Sequence, residues 1–319
     1  KLTRSGIAGA PGRPPSALTG VALYIVAVAV FASMDVATKL LVIGLPAPEV
    51  MWARFGFHLL IMATALRAWR SRVAWLPHAP RIQIGRSLGL AVCNLLYALA
   101  LMRIPLAEAT AISFVGPVIT VALAGLWLGE QVGWRRWCGV VIGLAGVLIV
   151  LRPGFGAVDP AAFFALASAG FYAVYQILTR RLAGVDTPQT TIVQTGLWAT
   201  LATTAAMPFF WVWPTLSGWL LMLLLGALGG IGHYLLVLAY DRAPASLIAP
   251  MGYAGMIFAV LYGLLLFNET PGILVIVGAL VIAAGGLLVI SAERNASATP
   301  GLVTRKLPPA RLASDPLGD

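Results

Sequence analysis

The fold is decided by two related stretches of sequence, LWLGEQVGWRRWCGVVIGLAGVLIV at residues 126–150 and LLLFNETPGILVIVGALVIAAGGLLVI at residues 264–290. They end a longer repeat, in which residues 96–150 align without a gap with residues 235–289 at a constant offset of 139. Identical pairs include Arg103/Arg242, Pro105/Pro244, Glu130/Glu269 and Gly146/Gly285. Each copy is almost wholly apolar, which indicates that the repeating unit is a set of buried or lipid-facing helices.

The composition of the whole chain agrees with this interpretation. Of its 319 residues, 60% are hydrophobic and only 10% are charged, whereas soluble domains are about 25% charged. The mean hydropathy is +0.92. Such a chain cannot cover a soluble surface, and it carries too much apolar area to remain disordered. The sequence therefore predicts an integral membrane protein whose principal partner is the lipid bilayer.

The apolar segments predict an all-α fold with ten transmembrane helices, because a span needs about 20 apolar residues. The predicted spans are 18–41, 48–68, 83–102, 106–128, 134–151, 160–181, 188–210, 218–239, 246–267 and 271–291. Turns rich in Gly and Pro separate them. The predicted organisation is a cytoplasmic tail (1–17), one repeat (18–151), a second repeat (160–291) and a disordered cytoplasmic tail (292–319).

The distribution of positive charge predicts the orientation. With both termini in the cytoplasm, seventeen of the 21 Lys and Arg residues fall on the cytoplasmic side, two on the other side and two within spans. This is the asymmetry that the positive-inside rule describes. It accounts for the net charge of +10 without a nucleic-acid partner. Very short loops favour a bacterial inner membrane as the location.

Each predicted repeat has five spans, an odd number, so the second repeat enters the membrane from the opposite side. Inverted repeats are typical of secondary transporters that work by alternating access, with the substrate site near the midplane between the halves. A duplication that only makes a stable bundle is the structural alternative.

The two opening stretches, together with FASMDVATKL at residues 31–40, resemble the EamA domains of the drug/metabolite transporter superfamily. The resemblance covers residues 18–291. It implies ten helices around a central cavity lined by spans 1, 3, 4, 6, 8 and 9, and transport of small-molecule substrates. The sequence contains no GxxxxGK[ST] phosphate-binding loop and no catalytic signature, so we expect no cofactor and no enzymatic activity.

Charged residues inside the spans are the first candidates for the substrate site, because they are expensive in a membrane and usually face a cavity. Asp35 and Lys39 share one helix face, either as ligands of a charged solute or as a self-neutralising pair. Arg54 and His58 repeat this spacing on the second span. Arginine suits a carboxylate or phosphate.

The repeat itself adds a second argument. Alignment of the halves sets Asp35 against Gln176, Arg54 against Gln194, and Asn94 against His233. Charge is thus concentrated in the first half, which predicts an asymmetric site. Asp35 and His233 are the candidates for proton coupling. The remaining predicted substrate-binding residues are polar or aromatic: Asn94, Tyr97, Ser113, Tyr172, Tyr175, Gln176, His233 and Tyr253.

Three residues are predicted to have structural roles, Pro117 as a break in the fourth span and Glu130 and Glu269 as hinges or loop anchors. Glycine patterns such as Gly139-x-x-x-Gly143 and Gly285-Gly286 allow close helix packing, within the bundle or in a homodimer.

The favoured function is secondary transport of a small polar or amphiphilic metabolite. An amino-acid-like solute fits best, with Lys39 or Arg54 reading the carboxylate and Asp35 the ammonium group. One alternative is the import of a cofactor-like solute such as S-adenosylmethionine or riboflavin, since the DxxxK pattern also occurs in relatives of those importers. A channel or a non-transporting membrane scaffold is the alternative from another class.

Overall fold

The computed structural model describes residues 17–70, 72–127, 134–151, 159–182, 185–240, 242 and 249–297, and all the regular secondary structure in these ranges is helical. The first half contains α1 (Ala17–Val42), α2 (Ala47–Ala65), α3 (Arg72–Trp75), α4 (Pro80–Leu101), α5 (Leu106–Ser113), α6 (Gly116–Trp127) and α7 (Trp134–Leu151). The second half contains α8 (Ala161–Leu182), α9 (Pro188–Thr204), α10 (Met207–Phe210), α11 (Leu216–Tyr240), α12 (Ala254–Phe267) and α13 (Ile273–Ser297). Short 3-10 helices cover Ala68–Arg70 and Ala249–Tyr253.

The longer helices have the composition of membrane spans. Four stretches are both long and apolar enough to cross a bilayer: Leu18–Val42, Pro80–Leu101, Ala161–Thr179 and Leu216–Leu236. Four shorter apolar helical stretches are Leu106–Thr120, Trp137–Leu151, Met251–Phe267 and Ile273–Leu288. Small side chains such as alanine and valine dominate the interior, while many large hydrophobic side chains face outward. This distribution suits a bundle surrounded by lipid.

The structure refines several predicted helix boundaries. The predicted span 106–128 is divided, because α5 ends at Ser113 and α6 begins at Gly116. Pro117 has no N–H group to bond the carbonyl of residue 113, so the break lies one turn before it. The predicted span 48–68 ends at Ala65, just before Arg67 adopts a left-handed backbone with φ 48°. The last helix continues to Ser297, so residues 292–297 of the predicted disordered tail 292–319 are helical. The rest of this tail, and all of the predicted tail 1–17 except Ala17, lie outside the described residues.

The two halves interlock through a reciprocal set of helix pairs. α1 packs on α11, and its counterpart in the second half, α8, packs on α4. Likewise α1 contacts α12 while α8 contacts α6. Two further pairs, α2 with α9 and α7 with α13, join a helix to its own counterpart. Every helix of the interior therefore contacts the opposite half.

Glycines bring α7 and α13 into backbone contact. A side chain added at Gly285 would meet the Gly139 carbonyl oxygen at 2.7 Å, and one added at Gly146 would meet the Gly278 carbonyl oxygen at 2.8 Å. Such close approach is available only to small residues. The register runs in opposite directions along the two helices, so α7 and α13 are antiparallel. These glycines are thus used within the bundle.

The loop between α8 and α9 is anchored to the beginning of α4 by Asp186, whose side chain is fully buried. Its carboxylate accepts hydrogen bonds from the His78 backbone N–H at 2.7 Å, Gln83 Nε2 at 2.9 Å and His78 Nδ1 at 3.1 Å. Burial alone would raise the pKa of Asp186, but these hydrogen bonds outweigh it and lower the pKa below its usual value of 3.8. The charged form of Asp186 is therefore the one that stabilises the fold.

We expect Asp186→Asn to destabilise the protein by about 1–3 kcal/mol at pH 7, since the amide cannot accept all these bonds. Because the folded-state pKa is lowered, the contribution of Asp186 is present above pH 4 and is lost as the pH falls through that folded value. Thermal melts in detergent of wild type and variant should therefore converge in acid. Asp159→Asn is the control, because Asp159 is half-exposed and asparagine caps a helix as well as aspartate does. A constant difference between the two proteins at every pH would contradict this role of the Asp186 charge.

Candidate functional site

A small cavity lies between the two halves. Its walls come from α2 and α4 of the first half and from α8, α9 and α11 of the second. The lining residues are Arg54, Phe55, His58, Arg86, Leu90, Tyr175, Ile192, Thr195, Gly229 and His233. The centre of a water molecule can reach about 40 Å³ of it, which is room for a few waters, since one needs about 10–15 Å³.

Arg54 is the most unusual group of this cavity. Only 8% of the residue is exposed, yet its guanidinium forms no hydrogen bond or ion pair with any residue that the structure describes. It lies over the Phe55 ring, 5.5 Å from the centroid, and it interacts electrostatically with Asp35. A buried cation is normally paired, so the free donors of Arg54 are available for a ligand.

The counterpart of Arg54 in the second half has a different role. Gln194, 140 residues further along, is also buried, but both polar atoms of its side chain are hydrogen-bonded. Its Nε2 donates to the Trp75 carbonyl oxygen at 3.0 Å, and its Oε1 accepts from Trp198 Nε1 at 2.8 Å. The same position is thus a structural link in one half and an unengaged cation in the other.

Asp35 is the acidic group near this cation. It is half-buried on α1, and it interacts electrostatically with Arg54 and with the Tyr97 hydroxyl. Tyr97 in turn lies 3.1 Å from the Thr110 hydroxyl. Asn94, on the same helix as Tyr97, donates to the Leu90 carbonyl oxygen at 2.8 Å. These contacts place Asp35, Tyr97 and Arg54 in one polar region.

Two histidines face each other across the cavity. The rings of His58 on α2 and His233 on α11 meet edge to face, with centroids 6.0 Å apart. Phe31 packs edge-on against His233 at 5.2 Å. Neither imidazole hydrogen-bonds another side chain within the described ranges. The structure thus brings together Asp35, Arg54, His58 and His233, four residues singled out as polar groups within apolar spans.

Arg86 is a cavity residue that the sequence analysis missed. Arg86 is one of the seventeen charges that the predicted orientation places on the cytoplasmic side, but only 4% of the residue is exposed. Its guanidinium donates to Thr179 Oγ1 and Thr195 Oγ1, each at 2.7 Å, and to the Tyr175 hydroxyl at 2.9 Å. The available signal was its position inside the predicted span 83–102, where a loop charge does not belong.

In the structure, Lys39 forms its ion pair with a carboxylate other than Asp35. The Lys39 ammonium forms an ion pair with Glu269 and donates to the Ile104 carbonyl oxygen at 3.1 Å. Glu269 also accepts a hydrogen bond from the Leu106 backbone N–H at 2.9 Å. This ion pair ties the end of α1 and the α4–α5 turn to the α12–α13 turn, away from the residues that line the cavity.

The other predicted residues lie around the cavity or beyond it. Tyr172 stacks on Tyr175 at 5.8 Å, Tyr253 packs edge-on against Phe114 at 5.3 Å, and Ser113 Oγ donates to the Ala109 carbonyl oxygen at 2.9 Å. Gln176 is half-buried on α8, and Pro117 lies in the first turn of α6. Glu130 lies outside the described residues.

A bundle of apolar helices in two related halves, with charged groups around a cavity between them, is the architecture of a membrane transporter. The comparison with known proteins agrees. The EamA-like transporter family matches the chain twice, over residues 18–152 and 159–291. The chain therefore belongs to this family, within the drug/metabolite transporter superfamily, and the resemblance drawn from the sequence is confirmed.

Several curated proteins are similar over nearly their full length. The S-adenosylmethionine uptake transporter of Rickettsia bellii (strain RML369-C) is 24% identical, over 87% of this chain and 95% of the relative. The riboflavin transporter of Rhizobium johnstonii is 27% identical, over 90% and 96%. The pseudopaline exporter CntI of Pseudomonas aeruginosa (strain UCBPP-PA14) is 26% identical, over 86% and 94%. These names agree on transport of a small solute and differ on the solute.

A solved crystal structure of another protein has a similar fold, with a TM-score of 0.61 and 22% sequence identity. The similarity covers 88% of this chain and 98% of the other. At this identity the likeness concerns the fold alone.

Proposed function

We propose that the protein is a secondary active transporter that carries a small polar or amphiphilic metabolite across the bacterial inner membrane by alternating access. An amino-acid-like solute is favoured, with its carboxylate at Arg54 and its ammonium group at Asp35. The observation that carries this proposal is the buried Arg54 guanidinium, which lines a cavity between the halves and forms no hydrogen bond to a described residue. A transporter retains such a charge because its substrate completes the pairing.

Alternating access requires two states related by exchange of the halves, and the helix packing supports this. The pairs α1–α11 and α8–α4 are equivalent under such an exchange, as are the Gly139–Gly285 and Gly146–Gly278 contacts. We therefore propose ten membrane spans arranged as two inverted repeats, 18–151 and 160–291, with both termini in the cytoplasm.

The cavity in this conformation is too small for a metabolite, so binding requires one end of the bundle to open. The ion pair of Lys39 with Glu269 joins elements of both halves at the end where α1 finishes. We propose that it holds this end closed. Under the proposed orientation this end faces away from the cytoplasm.

A cofactor-like substrate is the second candidate, and the names of the relatives favour it, since they include transporters of S-adenosylmethionine and riboflavin. A channel or a scaffold is the alternative from another class. A counterflow experiment distinguishes a transporter of amino-acid-like solutes, a transporter of cofactor-like solutes, and a channel or scaffold. Purified protein in liposomes loaded with an unlabelled solute is supplied outside with labelled alanine, glutamate, S-adenosylmethionine or riboflavin.

We expect saturable uptake of at least one labelled solute, stimulated by the same solute inside the vesicles. The responding solute identifies the substrate class. Flux without saturation or stimulation would indicate a channel, and no flux with any solute would favour the scaffold.

Asp35 and His233 are the proposed sites of proton coupling. If Asp35 carries the coupled proton, Asp35→Asn should abolish accumulation driven by a pH gradient. It should retain counterflow of a solute without an ammonium group, such as succinate, because counterflow needs no net proton movement and this solute needs no contact with Asp35. Both are measured in the same proteoliposomes. Thr38→Val is the control from the same helix, because the Thr38 hydroxyl donates to the Met34 carbonyl oxygen of that helix at 2.9 Å. Equal accumulation by Asp35→Asn and wild type would remove Asp35 from the coupling mechanism.

A further inference from the structure

The Tyr175 hydroxyl keeps its proton free to donate, because its contact with Arg86 uses only a lone pair of the oxygen. The oxygen accepts a hydrogen bond from Arg86 Nη2 at 2.9 Å. Because an arginine can only donate, the proton of Tyr175 must point elsewhere. Among the described residues the hydroxyl has no second partner, and Tyr175 lines the cavity. The Tyr175 proton is therefore available to a ligand in the cavity.

Arg86 itself has little left to offer a ligand. Its Nε and Nη1 atoms donate to Thr179 and Thr195, and Nη1 also contacts the Thr191 carbonyl oxygen at 3.4 Å. The guanidinium carbon lies 4.6 Å from the Tyr175 ring centroid. Arg86 therefore acts through Tyr175, as a positioning residue, and it adds a positive charge beside the cavity.

Arg54 supplies the second set of donors. It interacts electrostatically with Tyr175 and lines the same cavity. Neither Arg54 nor Arg86 forms an ion pair with a carboxylate in the described part of the chain; Asp35 interacts with Arg54 only at longer range. The wall therefore carries two guanidinium charges with one carboxylate near them.

We infer that Arg54 and the Tyr175 hydroxyl form an oxyanion subsite, oriented by Arg86, that selects solutes bearing a carboxylate or phosphate group and rejects solutes that are only cationic. This inference rests on the proposed transport function and specifies its substrate class. A guanidinium and a hydroxyl proton stabilise an anion, and the two positive charges of Arg54 and Arg86 repel an ammonium group. Asp35, outside this subsite, remains available to a second, positive group of the solute.

The test uses three four-carbon solutes that differ in charge: succinate, 4-aminobutyrate and 1,4-diaminobutane. Each is titrated into the purified full-length protein while the melting temperature is followed, since a ligand of the native state raises it. We expect succinate and 4-aminobutyrate to stabilise wild type and 1,4-diaminobutane to have no effect. Tyr175→Phe should weaken succinate binding about tenfold, and Arg54→Gln about a hundredfold, as expected for hydrogen bonds to a charged group.

Three further variants distinguish a positioning role of Arg86 from a general structural role. Thr179→Val removes an acceptor of Arg86 but leaves the Tyr175 hydroxyl bond, so its preference for succinate over 1,4-diaminobutane should equal that of wild type. Arg86→Met frees the Tyr175 hydroxyl to turn and should reduce this preference, while Arg86→Lys, which can still donate to Tyr175, should restore it. If Arg86→Met does not fold, Tyr175→Phe carries the test.

The inference is overturned if 1,4-diaminobutane stabilises wild type as well as succinate does, if neither carboxylate stabilises it, or if Tyr175→Phe binds succinate like wild type. Its failure is distinguishable from that of the proposed function. Transport that shows no preference for charge would support the proposed transport function but exclude the oxyanion subsite. Carboxylate binding without counterflow would support the subsite but exclude the transport function.

Discussion

Replacement of Arg54 by glutamine should abolish transport and at the same time raise thermal stability. Loss of the guanidinium removes the charged donors of the subsite, so counterflow of a carboxylate solute should fall about a hundredfold. A buried, unengaged arginine costs about 2.5–3.5 kcal/mol on membrane-insertion scales. Its neutral replacement should therefore unfold at a higher temperature, as is common where function requires a strained group.

This prediction is specific because transport activity should fall while thermal stability rises. Glutamine is the residue at the equivalent position of the second half, Gln194, so the bundle can accommodate it. Arg54→Lys is the matched control, which keeps the charge but loses the planar pair of donors; it should transport poorly without a gain in stability. A less stable, inactive Arg54→Gln protein would instead indicate that Arg54 holds the helices together.

Replacement of Glu269 by glutamine should destabilise the protein by about 3 kcal/mol. The variant leaves the Lys39 ammonium buried, with 7% of the residue exposed, and without a counter-ion. Breaking a buried ion pair from one side costs about 3–5 kcal/mol; we expect the lower end because 22% of the Glu269 side chain is exposed. Thermal unfolding in detergent measures the loss.

A double variant provides the control for this ion pair. Lys39→Met combined with Glu269→Gln removes both charges, so it should recover most of the stability that Glu269→Gln loses. If the double variant is as unstable as the sum of the two single variants, Lys39 and Glu269 act independently. The hydrogen bond from Leu106 to Glu269 would then be the main stabilising contact.

The helices themselves could be predicted from the sequence because long apolar runs in a membrane protein have few other structures available. The ends of the helices were harder to predict from the sequence. The left-handed Arg67 that ends α2 and the 3-10 helix at Ala249–Tyr253 have no hydropathy signal. The interruption of the fourth span was indicated by Pro117, because a proline in a helix is visible in the sequence itself.

The candidate site was predictable to the extent that polar residues stand out within apolar spans. Asp35, Arg54, His58 and His233 were found in this way. Arg86 was not, because its place near the beginning of a span made it resemble a loop charge. The partner of Lys39 could not be predicted either, since Glu269 is 230 residues away in sequence and only the tertiary fold brings them together. The spacing of Asp35 and Lys39 suggested an ion pair within one helix, but Lys39 pairs with Glu269 instead.

The most direct test of the account is whether transport requires the Lys39–Glu269 end to open. Lys39→Cys and Glu269→Cys are combined in a protein whose native Cys93 and Cys138 are replaced by alanine, and the two thiols are joined by a short reducible cross-linker. Counterflow is measured in liposomes before cross-linking, after it and after reduction. Alternating access predicts counterflow that stops on cross-linking and returns on reduction. Undiminished counterflow in the cross-linked protein would contradict it.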